Sequence, residues 1–333
     1  MIKSIGIDLG SKITAYMQGE GIIFREPSCI ALDINTMEYV AYGSDAVALY
    51  ERLPGCFSLI ETVFEGRITD YEKAAELISV LFKKYGISKY DLVLAISNEI
   101  NEAEMRALVD IFTLTKVRSI GFVDIPTACV LGSNEPLDDN RALLSVNIGS
   151  GLTEIGLVKG CRTKYVHTVK YGCAKLDNAI ASYFRKNDSV NISTDEIRNI
   201  RENVGSVHAN ADRPDISVRA IDSITGLPMK ITVSSEMTRN AMLPVCEYIV
   251  KCCDALLKAL PENIRNEVMS RGVLLSGGGA LTGGLDELFR EKLNIPVTVS
   301  PAALECSIEG LGLIIENKDT FISLVKGPEE YVK

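Results

Sequence analysis

Apolar positions along the chain alternate between a two-residue and a 3.6-residue period, so strands and helices take turns. Residues 2–9 (IKSIGIDL) predict a strand that breaks at Gly10-Ser11; a second follows with Ile13, Ala15 and Met17 alternating, ending at Gly19-Glu20-Gly21. Short strands are expected over 22–31 and 38–42. The spacing of residues 74, 75, 78, 81 and 82 predicts a helix over 70–85. A buried strand (91–96), a helix (102–115), a strand (119–123) and a small-residue helix (126–131, Pro126 near its first turn) follow. The alternation then resets. A strand over 141–146 breaks at Gly149-Ser150-Gly151 and resumes over 154–158; helices are expected over 172–187, 192–204, 235–260 and 261–269. Strand 272–275 runs into Ser276-Gly277-Gly278-Gly279, followed by helix 284–292, strand 297–299 and helix 305–316. This order predicts an α/β protein with a largely parallel core sheet and a hairpin opening each half.

The two resets resemble each other. IGIDLGSKITAYMQGEG from residue 5 and LSVNIGSGLTEIGLVKG from residue 144 align on Asp8 and Asn147, 139 residues apart. Both read strand, polar residue, aliphatic, Gly, Ser, then Thr and a second strand, which indicates an internal duplication. Turns of Gly and Ser expose backbone N–H groups that bind anions, phosphate above all. A third turn, Ser276 to Leu281, lies between strand and helix, where a base or sugar can rest on bare backbone. Each alone is most simply a tight turn; three in matched context favour a nucleotide. Neither the GxxxxGK[ST] loop nor the three-glycine dinucleotide fingerprint is present.

Composition narrows the partners. The 333 residues, 47% hydrophobic and 24% charged, suit two domains or one split domain, and the formal charge of −9 argues against nucleic acid. Nine cysteines without a CxxC pair, and two histidines, leave little material for zinc and read as buried thiols of a reducing compartment. The N-terminus lacks the apolar core of a signal peptide, and no apolar run approaches 18 residues, so a cytoplasmic location is expected.

At this point the chain resembles the actin/heat-shock-chaperone/sugar-kinase superfamily, and within it the MreB bacterial actins. The likeness is carried by GIDLGSKIT (6–14), GIIFREPSCIALD (21–33), GRITDYE (66–72), NIGSGLTE (147–154), IRENVGS (200–206), ITGLPMKITVSSE (224–236) and RGVLLSGGGALTGGLDEL (271–288). The resemblance implies a duplicated ribonuclease-H-like fold of two domains, each of two subdomains, around a nucleotide cleft. Domain I would be 1–140 plus 315–333, with subdomain IB about 33–70; domain II would be 141–314, with IIB about 182–240. It implies ATP or GTP with Mg²⁺ and polymerisation into paired protofilaments. MreB paralogues and membrane-bound wall-synthesis proteins are implied as partners, at the inner face of the cell membrane. By position, Asp8, Gly10, Ser11, Lys12, Ile13 and Thr14 would meet the phosphates and metal, Asp8 through water. Gly149, Ser150, Gly151 and Leu152 would form the opposing hairpin. Arg198 and Arg201 would lie near ribose or base, and Gly278, Gly279, Ala280 and Leu281 would take the adenosine.

Three departures bear on catalysis. Asn147 stands where the family usually has an Asp, a weak ligand for Mg²⁺. Leu152 replaces the hairpin Thr. Ile125 replaces the Glu that orients the attacking water, with Asp124 a potential substitute if the backbone shifts. Slow or absent hydrolysis follows as the expectation. Lys12 could reach the phosphates or be a solvated lysine. The loop Tyr85–Tyr90 could touch an anionic bilayer through Ile87 and Tyr90 beside Lys83, Lys84 and Lys89, or be an ordinary helix–strand turn. Two rivals remain at this stage: a kinase of the superfamily using Asp124 or Asp70, and a non-polymerising paralogue that co-assembles with an active MreB.

Overall fold

The computed structural model describes residues 3–64 and 67–330; Met1, Ile2, Gly66 of the 66–72 segment and the last three residues of the expected domain I lie outside them. Two units divide the chain: one runs to Leu137 and adds Cys161–Val166 and the residues from Glu305 on, the other holds Asp138–Gly160 and His167–Leu304.

In the first unit come β1 (Lys3–Leu9), β2 (Lys12–Met17), β3 (Gly21–Pro27), β4 (Cys29–Asp33), β5 (Tyr39–Tyr42), α1 (Ser44–Arg52), β6 (Phe57–Glu61), β7 (Val63–Phe64), β8 (Arg67–Ile68), α2 (Tyr71–Lys84), β9 (Tyr90–Ile96), α3 (Glu102–Thr113), β10 (Val117–Asp124) and α4 (Ile125–Gly132). The main sheet has the order β10-β9-β1-β2-β3, parallel from β10 to β1 and antiparallel from β1 to β3. The strand expected over 22–31 is two strands, because the chain breaks at Ser28: its N–H donates to the Ser11 carbonyl (3.0 Å) and its hydroxyl to the Gly10 carbonyl (2.5 Å). A small sheet β5-β4-β6 follows.

The second unit contains β11 (Leu143–Ile148), β12 (Thr153–Lys159), the end of β13 (Arg162–Val169, whose first five residues count with the first unit), α5 (Cys173–Asn187), β14 (Val190–Asn191), α6 (Thr194–Asn203), β15 (Ile216–Asp222), β16 (Pro228–Val233), α7 (Ser235–Ala259), α8 (Glu262–Arg271), β17 (Val273–Ser276), α9 (Leu285–Leu293) and β18 (Val297–Val299). Its sheets run β13-β12-β11-β17-β18 and β14-β15-β16. Ile148, Leu176, Phe184, Met242 and Phe289 belong to its own core.

The chain then returns to the first unit as α10 (Cys306–Glu316) and α11 (Lys318–Phe321). Domain I had been expected to resume at 315, yet all of α10 goes with the first unit. Glycine is the reason: a Cβ on Gly310 would strike the Ala128 carbonyl, and one on Gly132 the Cys306 carbonyl, so α10 and α4 cross nearly backbone to backbone. Gly6 likewise lets α10 lie on β1, where a Cβ would come within 3.0 Å of Leu311 and Ile315. Val93, Ala95 and Val123 pack under these helices, while Ile5, Ile7, Leu92 and Leu94 face a core with α2 and α3.

The duplication extends to a turn that the sequence comparison missed. Asp33–Glu38 joins β4 to β5, and Asp222–Leu227 joins β15 to β16. In each, the Asp carboxylate accepts from the N–H two and three residues on: Asn35 (2.8 Å) and Thr36 (3.1 Å), or Ile224 and Thr225 (both 2.8 Å). Each Asp carbonyl accepts from the fifth residue of the turn, Met37 or Gly226, at 2.9 Å. That residue is left-handed in both, with φ 59° at Met37 and 71° at Gly226. An Asp side chain closing its own turn explains the shared form without shared apolar sequence.

Candidate functional site

The first hairpin turns between β1 and β2, where Gly10 N–H bonds the Lys12 carbonyl at 3.1 Å. With the Gly10 and Ser11 carbonyls tied back by Ser28, the turn presents Ser11 and Lys12 to solvent, both exposed. The Ile13 side chain is in the core, so only its backbone remains for a ligand. Register sets Asp8 opposite Thr14, and Thr14 opposite Arg25 on β3, one row on one face. Ser307 of α10 donates its hydroxyl to Asp8 Oδ2, and Arg25 pairs with Glu305. Burial raises the Asp8 pKa, opposed by the Ser307 hydrogen bond and the Arg25 charge.

The second hairpin repeats this plan. Gly149 N–H bonds the Leu152 carbonyl at 2.9 Å, and the register sets Asn147 opposite Glu154, as Asp8 stands opposite Thr14. Its carbonyls are also tied back, here by α5: Cys173 N–H bonds Gly149 (3.0 Å) and Ala174 N–H bonds Ser150 (2.8 Å). Gly172 permits this approach, since a Cβ there would lie 2.5 Å from the Ser150 carbonyl. Ser150 is exposed, Gly151 and Leu152 half-buried. Asn147 Oδ1 accepts from the Ser276 hydroxyl at 3.2 Å. Both strand-end polar groups are therefore held by a serine.

The third turn contributes two kinds of glycine. Gly277 (φ 80°) and Gly279 pack against Ile148, where a Cβ on Gly279 would strike its side chain. Gly278 meets nothing closer than 3.4 Å to its would-be Cβ. Ala280 is buried and Leu281 is 51% exposed. Asn147, Gly149–Gly151 and Gly277–Gly279 are thus contiguous. On α6, Arg198 is exposed, whereas Arg201 is mostly buried and its Nε donates to Asp177 at 2.7 Å.

Several sequence expectations change. Asp124 lies 2.9 Å from Lys326 Nζ, and Asp70 caps α2 by accepting from the Lys73 N–H at 3.1 Å, so both carboxylates weighed for a kinase are engaged. Ile125 is half-buried at the start of α4. The loop Tyr85–Tyr90 offers no apolar tip. Ile87 is buried because α2 ends in a Schellman motif with Gly86 left-handed (φ 67°) and Ile87 N–H bonded to the Phe82 carbonyl at 2.8 Å, and Tyr90 is buried as the first residue of β9, its ring against Phe82. Lys84 is drawn to Glu26 (3.0 Å) and Asp45 (3.2 Å). Sequence reasoning gave Ser276 no role beyond opening the third turn and passed over Glu154, Ser307 and Arg25; the alignment of the hairpins could have flagged Glu154, and nothing local flags Ser307 or Arg25.

Among the described residues no three or more His, Cys, Asp or Glu could together hold a metal. Asp8, a single carboxylate, fits Mg²⁺ only as an ion held largely by phosphate and water, which is its usual habit, and an amide such as Asn147 is a weaker ligand still. No helix among the described residues is long and apolar enough to cross a membrane. All nine cysteines are thiols, six of them buried and Cys56 exposed.

Two hairpin-led α/β units of this order define an actin-like fold, and known structures agree. MreB5 of Spiroplasma citri bound to ADP superposes with a TM-score of 0.91 at 23% identity, covering 97% of this chain and 99% of that one. The MamK double helical filament gives 0.80 at 17% identity, covering 95% and 99%. The cell shape-determining protein Mbl of Bacillus subtilis is 28% identical over 95% of this chain and 97% of its own length. The family described as MreB/Mbl protein matches residues 2–323, and the chain belongs to that family.

Proposed function

We propose that this chain is a cell-shape cytoskeletal actin that binds ATP or GTP with Mg²⁺ and polymerises into paired protofilaments. The carrying observation is the repeated hairpin. In each unit the turn's carbonyls are bonded away from the ligand side and a serine holds the polar residue at the strand end. Such turns suit phosphate, and the Gly278 face suits a nucleoside. Ser11, Lys12 and the backbone of Ile13 would meet phosphate with Gly149–Leu152, and Asp8 would face the hydrated metal. MreB5 of Spiroplasma citri, whose fold this chain shares, is bound to ADP, and MamK forms a filament.

Bound Mg²⁺ would neutralise phosphate charge. Hydrolysis is slow in this reading, since Ile125 and Leu152 offer no group to orient water. Relatives named for determining cell shape support a cell-shape role; in this reading the chain would act beneath the cell membrane with MreB paralogues and wall-synthesis proteins, with attachment elsewhere than the 85–90 loop, whose Ile87 and Tyr90 are buried. Titration with fluorescent ATP and GTP analogues, with and without Mg²⁺, tests the site. Saturable binding is expected; no binding of either analogue would overturn the reading.

A further inference from the structure

The sequence singled out Asp8, but the structure shows that Asp8 is held from 299 residues away. Ser307 is the second residue of α10, 7% exposed, and its hydroxyl donates to Asp8 Oδ2. The helix is seated closely on its neighbours. Gly6 brings it onto β1 between Leu311 and Ile315, Gly310 seats it on the Ala128 carbonyl, and Cys306 Sγ donates to the Cys129 carbonyl at 2.9 Å. Beside this bond, Arg25 is pinned by Glu305, the residue that precedes the helix, in the same cross-strand row as Asp8 and Thr14. Asp8 therefore has one oxygen fixed and its rotation about the Cβ–Cγ bond stopped, which gives Oδ1 a single direction.

We propose that Ser307 is the positioning residue for the metal-facing carboxylate of this site: by holding Asp8 Oδ2 from the first turn of α10, it aims Oδ1 at the hydrated divalent ion of a bound nucleotide. The inference rests on the nucleotide reading above and adds a residue that none of the hairpin motifs contains. A hydroxyl acting only as core filler would leave metal dependence unchanged. A positioning hydroxyl acts on the metal step and leaves metal-free nucleotide binding alone, because the Ser307 hydroxyl is spent on Asp8 and belongs to none of the three turns assigned to phosphate and nucleoside. Partners of this kind change metal affinity by about 10–100-fold when removed.

The test measures the Mg²⁺ concentration that half-saturates the enhancement of fluorescent ATP binding, in the wild type, Ser307→Ala and Ser307→Thr. Thermal melts of each variant show whether it is folded. Ser307→Ala is expected to raise the Mg²⁺ requirement about tenfold with metal-free affinity unchanged, and Ser307→Thr, which keeps the hydroxyl, to restore it. An unaltered Mg²⁺ requirement in a folded Ser307→Ala protein overturns the proposal, and so does an equal loss with and without metal. Should Ser307→Ala not fold, Ser307→Thr and Ser307→Cys carry the comparison: the weak thiol donor should raise the requirement while Thr does not, and equal curves for the two overturn it. Wild-type protein that binds no nucleotide under either condition overturns the nucleotide reading first, and the Asp8 assignment with it.

Discussion

Replacing Glu26 by Gln should loosen the junction of β3, α1 and α2 in a pH-dependent way. The Glu26 side chain is 4% exposed and accepts from the Ser44 N–H (2.7 Å), the Tyr85 hydroxyl (2.6 Å) and Lys84 Nζ (3.0 Å). Burial alone would raise its pKa, but these hydrogen bonds outweigh it and bring the group from 4.5 down to about 2. A lowered folded-state pKa means that the stabilisation is complete above pH 4.5 and is lost as pH falls toward 2. The linkage amounts to about 3 kcal/mol at pH 7. Glu26→Gln keeps the shape and one acceptor yet sets an amide N–H₂ against other donors, so most of that value should go. Urea unfolding followed by circular dichroism at pH 7, 5 and 3.5 gives the difference from wild type. Hydrogen exchange of peptides 44–52 and 81–87 assigns it to this junction. A deficit of about 2–3 kcal/mol at pH 7 that shrinks markedly by pH 3.5 is expected. A deficit that is the same at both pH values would refute the reasoning, because a packing defect has no reason to titrate.

Three further outcomes follow from the geometry. Gly226→Ala should destabilise by about 1 kcal/mol, since φ 71° suits glycine, while Met37→Gly in the twin turn should be neutral or slightly stabilising; urea midpoints decide. Gly310→Ala should cost about 3 kcal/mol or abolish soluble expression, because the Ala128 carbonyl occupies the space; thermal melts or soluble yield report it. Ile125→Glu should raise phosphate release by about 10²-fold over a slow wild type, and an unchanged rate would show that the water-orienting position lies elsewhere.

How legible the chain was depended on the range of the forces. Helices with strong apolar spacing came out nearly whole: the span expected over 235–260 is Ser235–Ala259, with Pro244 accommodated inside it. The hairpins were legible because turn glycines and strand alternation are local. Edge strand β13 and the small-sheet strand β15 were not: β13 is exposed or half-buried everywhere but Val169, and β15 buries only Val218 and Ala220. Glycines could be seen, but not their employment. Gly10 and Gly278 meet open space or distant atoms, whereas Gly277, Gly172 and Gly310 let backbones touch and Gly279 makes room for the Ile148 side chain. The 85–90 loop was legible only as a choice between an apolar tip and an ordinary helix–strand turn, and the helix C-cap that folds Ile87 back makes it the turn. Ser307 reaches Asp8 only after α10 has docked on Gly6, a contact that no window of sequence contains.

The central claim is that nucleotide drives this chain into filaments. Sedimentation of the purified protein with Mg-ATP, with Mg-ADP and without nucleotide, at one salt concentration and with electron micrographs of each pellet, tests it most directly. The account predicts a filamentous pellet that depends on the nucleotide. Protein that stays in the supernatant under all three conditions, while still binding nucleotide, would contradict it.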